Sequence, residues 1–287
     1  MKKLHILNPI SGKGAALKYK SNDYDDPVHI TQGIGDAEDF VYKQCLEDPE
    51  IHFIVYGGDG TINEVVNGIM KSGANKNARV SVVPVGTGND FVKNIETGDF
   101  TVDVMRYNDN YAVNIINIGF DCDVVISTDK IKKKPFISGS LAYILGVLFT
   151  LCKKPTKDLE ICLTDIDGNE ITYKDKYLCA VTANGSYYGG GFKAASLART
   201  DDGILDFMVI KNISRMAFLK LVGDYKKGTH MDKDLYQPTK KYQDLIFYHR
   251  CKKVKINNLT YGCVDGEIRE FDSLDIEVIE KAITFIG

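Results

Sequence analysis

This 287-residue chain lacks the pairings and runs that mark several large protein classes. Its seven cysteines, at positions 45, 122, 152, 162, 179, 251 and 263, show no C-x-x-C spacing. An odd, scattered set excludes a disulfide frame or a zinc ribbon and reads as reduced thiols of a cytosolic protein. An excess of either charge is also missing: 36 basic residues face 39 acidic ones, for a formal net charge of -3. That balance leaves no electrostatic footprint for nucleic acid, which is not expected as a partner. Long hydrophobic runs are absent too. The most apolar stretch, LAYILGVLFTLC at 141–152, stops at Lys153-Lys154-Pro155, whereas a spanning helix needs roughly 20 apolar residues. No transmembrane segment is expected, and the stretch reads as a buried helix or one lining a lipid-accepting cleft. The N-terminal apolar run is too short for a signal peptide. The five histidines (5, 29, 52, 230 and 249) lack ligand spacing. Neither G-x-G-x-x-G nor G-x-x-x-x-G-K-[ST] occurs, which disfavours the usual dinucleotide and P-loop enzymes.

What is present is organised in two textures. Over the first hundred residues short apolar strands alternate with helix signals: Lys3 to Asn8, Pro27 to Thr31, Ile51 to Tyr56 (IHFIVY) and Arg79 to Val85 (RVSVVPV). Helices are expected after Gly33-Ile34-Gly35, after GGDG, and after GTG at 86–88. Near-continuous apolar strands alternating with helices predict a parallel sheet covered on both faces. From about residue 100 the segments become β-rich and turn-bounded, with Asp167-Gly168 as a hairpin turn and a helix near 214–226. The fold class these patterns predict is an α/β domain with a parallel sheet, followed by a mainly antiparallel β domain with a few helices. A cleft between the halves is the default active site.

Gly57-Gly58-Asp59-Gly60-Thr61-Ile62-Asn63-Glu64 follows a buried strand and opens a helix with an apolar face of Ile62, Val65, Val66, Ile69 and Met70. Glycines allow a backbone to approach an anion, and a helix N-terminus offers free N–H groups. An aspartate in that loop repels phosphate unless a divalent cation lies between them, as in a nucleotide–magnesium site. Thr61-x-x-Glu64 alone is also a capping box, which leaves the glycines around Asp59 unexplained. Asp59 is expected in an exposed loop. Asn8-Pro9-Ile10-Ser11-Gly12-Lys13-Gly14 and Gly86-Thr87-Gly88-Asn89-Asp90-Phe91 follow two other strands. Loops at the carboxyl ends of parallel strands converge on one crevice, although each loop alone is an ordinary turn or N-cap.

NPISGKG, a threonine before a G-x-G-D-A helix start, GGDGTINEV and PVGTGNDF, in this order, resemble the diacylglycerol kinase catalytic domain family, which includes bacterial soluble lipid kinases and sphingosine kinases. The resemblance continues through NIGFD (117–121), ANGSYYGGGFKAASLARTDDGILD (183–206) and DGE (265–267). It implies an ATP-dependent kinase acting on a lipid hydroxyl, with residues 1–100 plus 274–287 as an α/β nucleotide-binding domain on a parallel sheet and 101–273 as a mainly antiparallel β-sandwich that receives lipid. It also implies that Asn8, Pro9, Ile10, Ser11, Gly12, Thr31, Gly58, Asp59, Gly60, Thr61, Ile62, Asn63, Glu64 and Thr87 hold ATP. By the same resemblance Glu267 is the proton acceptor, with Asp265 as fallback base or metal ligand; from the residues alone, Asp265-Gly266-Glu267 is a turn. A structural Mg2+ is implied at Asp202 with the backbone oxygens of Arg199 and Ile204, an oxygen set that suits a hard cation. The family often carries arginine where Lys93 stands here, and lysine lacks the bidentate fork. Clusters of lysine and arginine at 130–134, 153–154, 226–227, 240–241 and 250–255 are either solvated surface or docking points on anionic membrane. The expected setting is cytoplasmic and peripheral to the membrane, with a lipid substrate and a homodimer as an option. An NAD or other small-molecule kinase, or an inactive nucleotide-binding regulator, are the alternatives.

Overall fold

The computed structural model describes residues 1–19, 26–95, 98–132, 145–146, 149–150, 153 and 156–287. Most of the apolar run 141–152 therefore lies outside the described residues, as do Lys133, Lys134 and Lys154 of the basic clusters.

The N-terminal half is built on the parallel strands β1 (Lys2–Leu7), β2 (Val28–Ile30), β3 (Ile51–Gly57) and β4 (Arg79–Pro84), ordered β2-β1-β3-β4. Helices α1 (Asp36–Glu47) and α2 (Asp59–Ser72) cover one face. The stripe predicted for α2 is buried there, with Ile62, Val65, Val66 and Ile69 fully enclosed against Leu4, Ile6, Phe53 and Val55. The other face is covered by the 3-10 segment Ser11–Tyr19, where Ala16 and Tyr19 pack on Leu7, Ile54 and Tyr56. The helix expected after GTG is only the four-residue 3-10 turn Phe91–Asn94. Phe91 plunges into the core and stacks at a tilt on Phe285, 5.2 Å between ring centres, so the chain turns down instead of running on.

The remaining strands are β5 (Phe100–Tyr107), β6 (Asn110–Ala112), β7 (Ile115–Gly119), β8 (Lys157–Asp165), β9 (Glu170–Ala183), β10 (Leu205–Lys211), the short β11 (Met231–Asp232) and β12 (Gln237–Pro238), β13 (Ile246–Asn257), β14 (Tyr261–Val264), β15 (Glu267–Glu270) and β16 (Ser273–Phe285). Helix α3 (Phe120–Lys132) follows β7 and α4 (Arg215–Lys227) follows β10. The β8–β9 hairpin turns at Asp167-Gly168, with Gly168 in the left-handed region, as the sequence predicted. Long β9 and β13 each change partners along their length within one continuous sheet: β9 pairs β8 along its first half and β7 along its second, while β13 pairs β8, β10 and β16. The antiparallel sandwich so formed encloses Met105, Tyr107, Leu163, Phe207, Val254 and Ile276. The fold class read from the sequence is present in both halves.

Strand β16 belongs to both cores. Leu274, Ile276 and Val278 pack in the sandwich, Ala282, Ile283 and Phe285 in the α/β core. The register shift between Ile279 and Ile283 lies where it passes from one to the other, with Lys281 at positive φ. Its last residues, Thr284 and Phe285, pair in parallel with β4.

Candidate active site

The three glycine loops meet at the carboxyl ends of β1, β3 and β4. Ile10, Ser11, Gly12, Lys13, Gly58, Asp59, Gly60, Gly86, Thr87 and Gly88 line an open groove of about 470 Å³. Gly12 is required for this approach. Its φ is +60°, and a Cβ there would lie 1.8 Å from the Val85 carbonyl oxygen, so no side chain is tolerated. Gly58 and Gly86 touch backbone to backbone, a Cβ on Gly86 coming within 2.6 Å of Gly58 Cα.

Other predicted residues hold the loops in place. Asn8 donates its side-chain amide to Thr61 Oγ1 (2.9 Å) and accepts from the Ile10 N–H, buckling the first loop to the second. Glu64 does not form a capping box with Thr61. Its carboxylate caps the neighbouring helix instead, accepting from the N–H groups of Gly35 (2.9 Å) and Ala37 (3.2 Å) at the start of α1; burial pushes its carboxyl above the usual range. Ile62 is fully buried in the core and gives its N–H to Gly58 O. Thr31 is buried at the end of β2, where its N–H bonds Leu7 O, and Pro9 stands at the turn out of β1.

Asp59 is not the exposed loop residue the sequence suggested. It opens α2, half-buried, and its carboxylate caps the 3-10 turn of the third loop, accepting from the N–H groups of Asp90 and Phe91, each at 3.0 Å. Burial raises its pKa, and those two bonds oppose the rise. A carboxylate offers about four lone-pair sites, so Asp59 retains acceptor capacity toward the groove. Asn89, read from the sequence as part of the third ligand loop or as a plain N-cap, has a buried Oδ1 with no hydrogen-bond partner among the described residues. A wall of glycine backbone carrying such hard oxygen acceptors fits a phosphate chain with its cation.

A second chamber of about 430 Å³ opens from the same groove and shares Asp59, Thr87 and Gly88 with it. Its far wall is Ile115, Val124, Val125, Tyr188 and Cys263, drawn from the sandwich and α3. Asp90 ties the halves here, accepting from the Gly190 N–H (2.7 Å) and pairing with Lys93 (2.5 Å), which also reaches Gly88 O. Lys93 thus pins the third loop from within the cleft.

Asp265 is in the wall of the second chamber, and Glu267 stands against Gly60, which lines the glycine groove. Glu267 Oε1 lies over the first turn of α2, 3.3 Å from where a Cβ on Gly60 would stand, and Oε2 pairs with Arg269 at 3.1 Å. Asp265, at φ 47°, is half-buried, its carboxylate held by four donors: Asn63 Nδ2 and the N–H groups of Val113, Asn114 and Ile115, at 2.8–3.0 Å. Burial raises its pKa and the four bonds oppose the rise. Asn63 therefore points at Asp265 and Tyr111 O, away from the glycine groove.

Sequence reasoning missed an asparagine set around the junction, in which Asn67 and Asn94 bond across the halves and Asn114 and Asn184 brace the second half beside it. Asn67 exchanges hydrogen bonds with the Tyr111 backbone, Asn94 accepts from Ser186 N, Asn114 donates to Tyr187 O, and Asn184 spans Asp103 O and Val113 O. Each lies outside the GGDG and GTGND motifs. Asp121, in NIGFD, is a further half-buried acid: Tyr188 donates to it at 2.5 Å, and desolvation pushes its pKa up to about 6.

The expected cation turn lies apart, at the base of β10. Asp202 Oδ1 accepts from Ile204 N (3.2 Å), and Oδ2 pairs with Arg250 at 2.6 Å. Lys252 donates to Gly203 O (2.5 Å) and pairs with Glu280. Among the described residues no cluster of three or more metal-holding side chains is present here, and the Asp202 carboxylate is engaged by Arg250.

Two family patterns divide the chain between them: the diacylglycerol kinase catalytic domain over residues 2–116, and the YegS C-terminal NAD kinase beta sandwich-like domain over 114–286. The chain belongs to the diacylglycerol kinase family of lipid kinases. Among relatives, a diacylglycerol kinase from Bacillus subtilis is 27% identical, over 90% of this chain and 86% of its own. A probable lipid kinase YegS-like protein from Shewanella frigidimarina is also 27% identical, over 98% of this chain and 93% of its own. A crystal structure of a diacylglycerol kinase from Bacillus anthracis superposes with a TM-score of 0.68 at 22% identity, covering 99% of this chain and 96% of the other; that likeness shows the fold alone. Family membership makes the chain a kinase. No helix among the described residues is long and apolar enough to cross a membrane.

Proposed function

We propose that this protein transfers the γ-phosphoryl group of ATP to a lipid hydroxyl, with diacylglycerol as the first acceptor to test. The observation that carries this reading is the pair of chambers sharing Asp59, Thr87 and Gly88. One is walled by glycine backbone, suited to phosphates; the other ends on Ile115, Val124 and Val125, suited to an apolar body. The reacting groups meet at the shared wall. The Asn8–Gly12 loop, Gly58–Thr61 and Thr87 would cradle the nucleotide, while Asn63 and Glu64 brace the loops that do so. Mg2+ accompanying the nucleotide would neutralise phosphate charge, and Asp59 is the acid placed to hold it.

Glu267 supplies the proton acceptor. Its carboxylate stands on the α2 side of the junction between the chambers, near enough to Gly60 to face a hydroxyl arriving from the apolar side. Accepting that proton as the new phosphorus–oxygen bond forms is general-base chemistry. Asp265, with its lone pairs engaged by four donors, positions the turn. The second cation, at Arg199, Asp202 and Ile204, belongs to this proposal as a structural site. The setting that follows is a lipid–water interface on the cytoplasmic side.

The test is transfer of label from γ-labelled ATP to a panel of lipids in mixed micelles: diacylglycerol, phosphatidylglycerol, a sphingoid base and an isoprenoid alcohol, with NAD and a sugar as soluble controls. Labelled diacylglycerol is the expected product. Label on a soluble control with none on any lipid overturns the reading.

A further inference from the structure

We propose that the outer face of α4 is the surface by which this protein docks on an anionic lipid bilayer; the inference rests on the lipid kinase reading above. The helix has two distinct sides. Phe218, Leu221 and Tyr225 are buried against the sandwich, while Met216 and Leu219 are 65% and 48% exposed. At 3.6 residues per turn, Leu219, Gly223 and Met216 fall in the middle of the exposed arc. Arg215 and Lys226 flank them on one side, Lys220 and Lys227 on the other.

An apolar strip edged by basic residues on both sides is the pattern of a helix lying in the plane of a membrane interface. Long basic side chains reach the headgroups while their stems and the strip enter the boundary. The one acid on the helix, Asp224, is turned toward the protein, paired with Lys241 at 2.8 Å and accepting from Tyr242. Since the whole chain has a formal net charge of -3, attraction to anionic lipid has to be local. The charged residues that the helix itself carries on this face are all basic.

Its location is continuous with the acceptor side of the cleft. The buried side of α4 presents Phe218, Leu221, Val222 and Tyr225 to a small apolar cavity that also touches Asp121 and Tyr188. Those two residues line the acceptor chamber as well. A helix seated on the bilayer by its outer face therefore holds the chamber at the membrane boundary.

Vesicle co-sedimentation tests the proposal without relying on catalysis. The protein should bind phosphatidylcholine vesicles doped with phosphatidylglycerol, bind pure phosphatidylcholine far less, and release as salt rises. Each basic residue near a charged membrane strengthens binding by about fivefold. Lys220→Glu with Lys227→Glu should therefore weaken partitioning by at least about 25-fold. Met216→Asp with Leu219→Asp should also weaken it. Both double variants should keep the wild-type melting temperature and turnover on a dispersed short-chain acceptor.

Unchanged vesicle binding in both variants overturns the proposal. So does a wild-type dimer, seen by sedimentation velocity, that Met216→Asp with Leu219→Asp splits while vesicle binding persists; the face would then join two copies. Binding lost in the variants of a protein that phosphorylates no lipid would sustain the docking surface and defeat the kinase reading instead.

Discussion

Glu267 and Asp265 stand two residues apart and do different work. Asp265 accepts four hydrogen bonds and sits at positive φ, so its carboxylate is part of the framework joining α2, β6 and β7. Glu267 has one ionic partner, Arg269, and an oxygen facing Gly60. Glu267→Gln should therefore keep nucleotide affinity and lose turnover by about 10²- to 10⁴-fold, the usual contribution of a general base. Asp265→Asn should fail differently. Its new NH2 would oppose backbone N–H donors, and a buried unsatisfied donor costs about 1–3 kcal/mol, so melting temperature and turnover should fall together. Calorimetric nucleotide titration beside steady-state kinetics separates the two. If Asp265→Asn loses turnover at unchanged stability while Glu267→Gln stays active, the base is Asp265. The DGE turn was legible in the sequence; the division of labour was not, because Asp265 is held by Asn63, 202 residues earlier. The same distance hid the asparagine set, whose partners carry no local pattern. For Asp59 the glycines around it suggested exposure, whereas its side chain turned inward to cap a helix in another loop.

At the scale of elements, periodicity and composition revealed β1, β3, β4, the stripe of α2 and the β8–β9 hairpin, since each is set by its own apolar spacing or turn residues. The helix after GTG was overestimated because the glycine loop signals a start without signalling a length. Phe91 ends it by entering the core. The turn between Arg199 and Ile204 shows what a local motif omits: the sequence proposes oxygen ligands, and the fold brings Arg250 from β13 onto Asp202. An ion that binds only the folded state stabilises it by mass action. Magnesium should thus raise the melting temperature of the wild type and leave Asp202→Ala unmoved. Arg250→Ala, freed of the competing guanidinium, should respond at lower magnesium concentration than wild type. Equal responses in wild type and Asp202→Ala would place the cation elsewhere.

At the scale of the molecule, the cleft exists because the two halves are held as one, and β16 is the main connection. Its first half pairs with β13, most of its length pairs with β5, and its end pairs with β4. Side chains from one continuous strand therefore complete two cores, and the Asn67 and Asn94 bonds cross between the same halves. Losing either core frees the strand that the other needs. The protein should accordingly unfold in a single calorimetric transition. Ile276→Ala opens a cavity in the sandwich and Ile283→Ala one in the α/β core, both sites being fully buried. Each truncation should cost about 2–5 kcal/mol and lower the melting temperature of the whole protein by several degrees, with one peak retained. Two peaks, with Ile276→Ala moving one and Ile283→Ala the other, would mean that the halves are stable independently and that their alignment across the cleft is set by something other than β16.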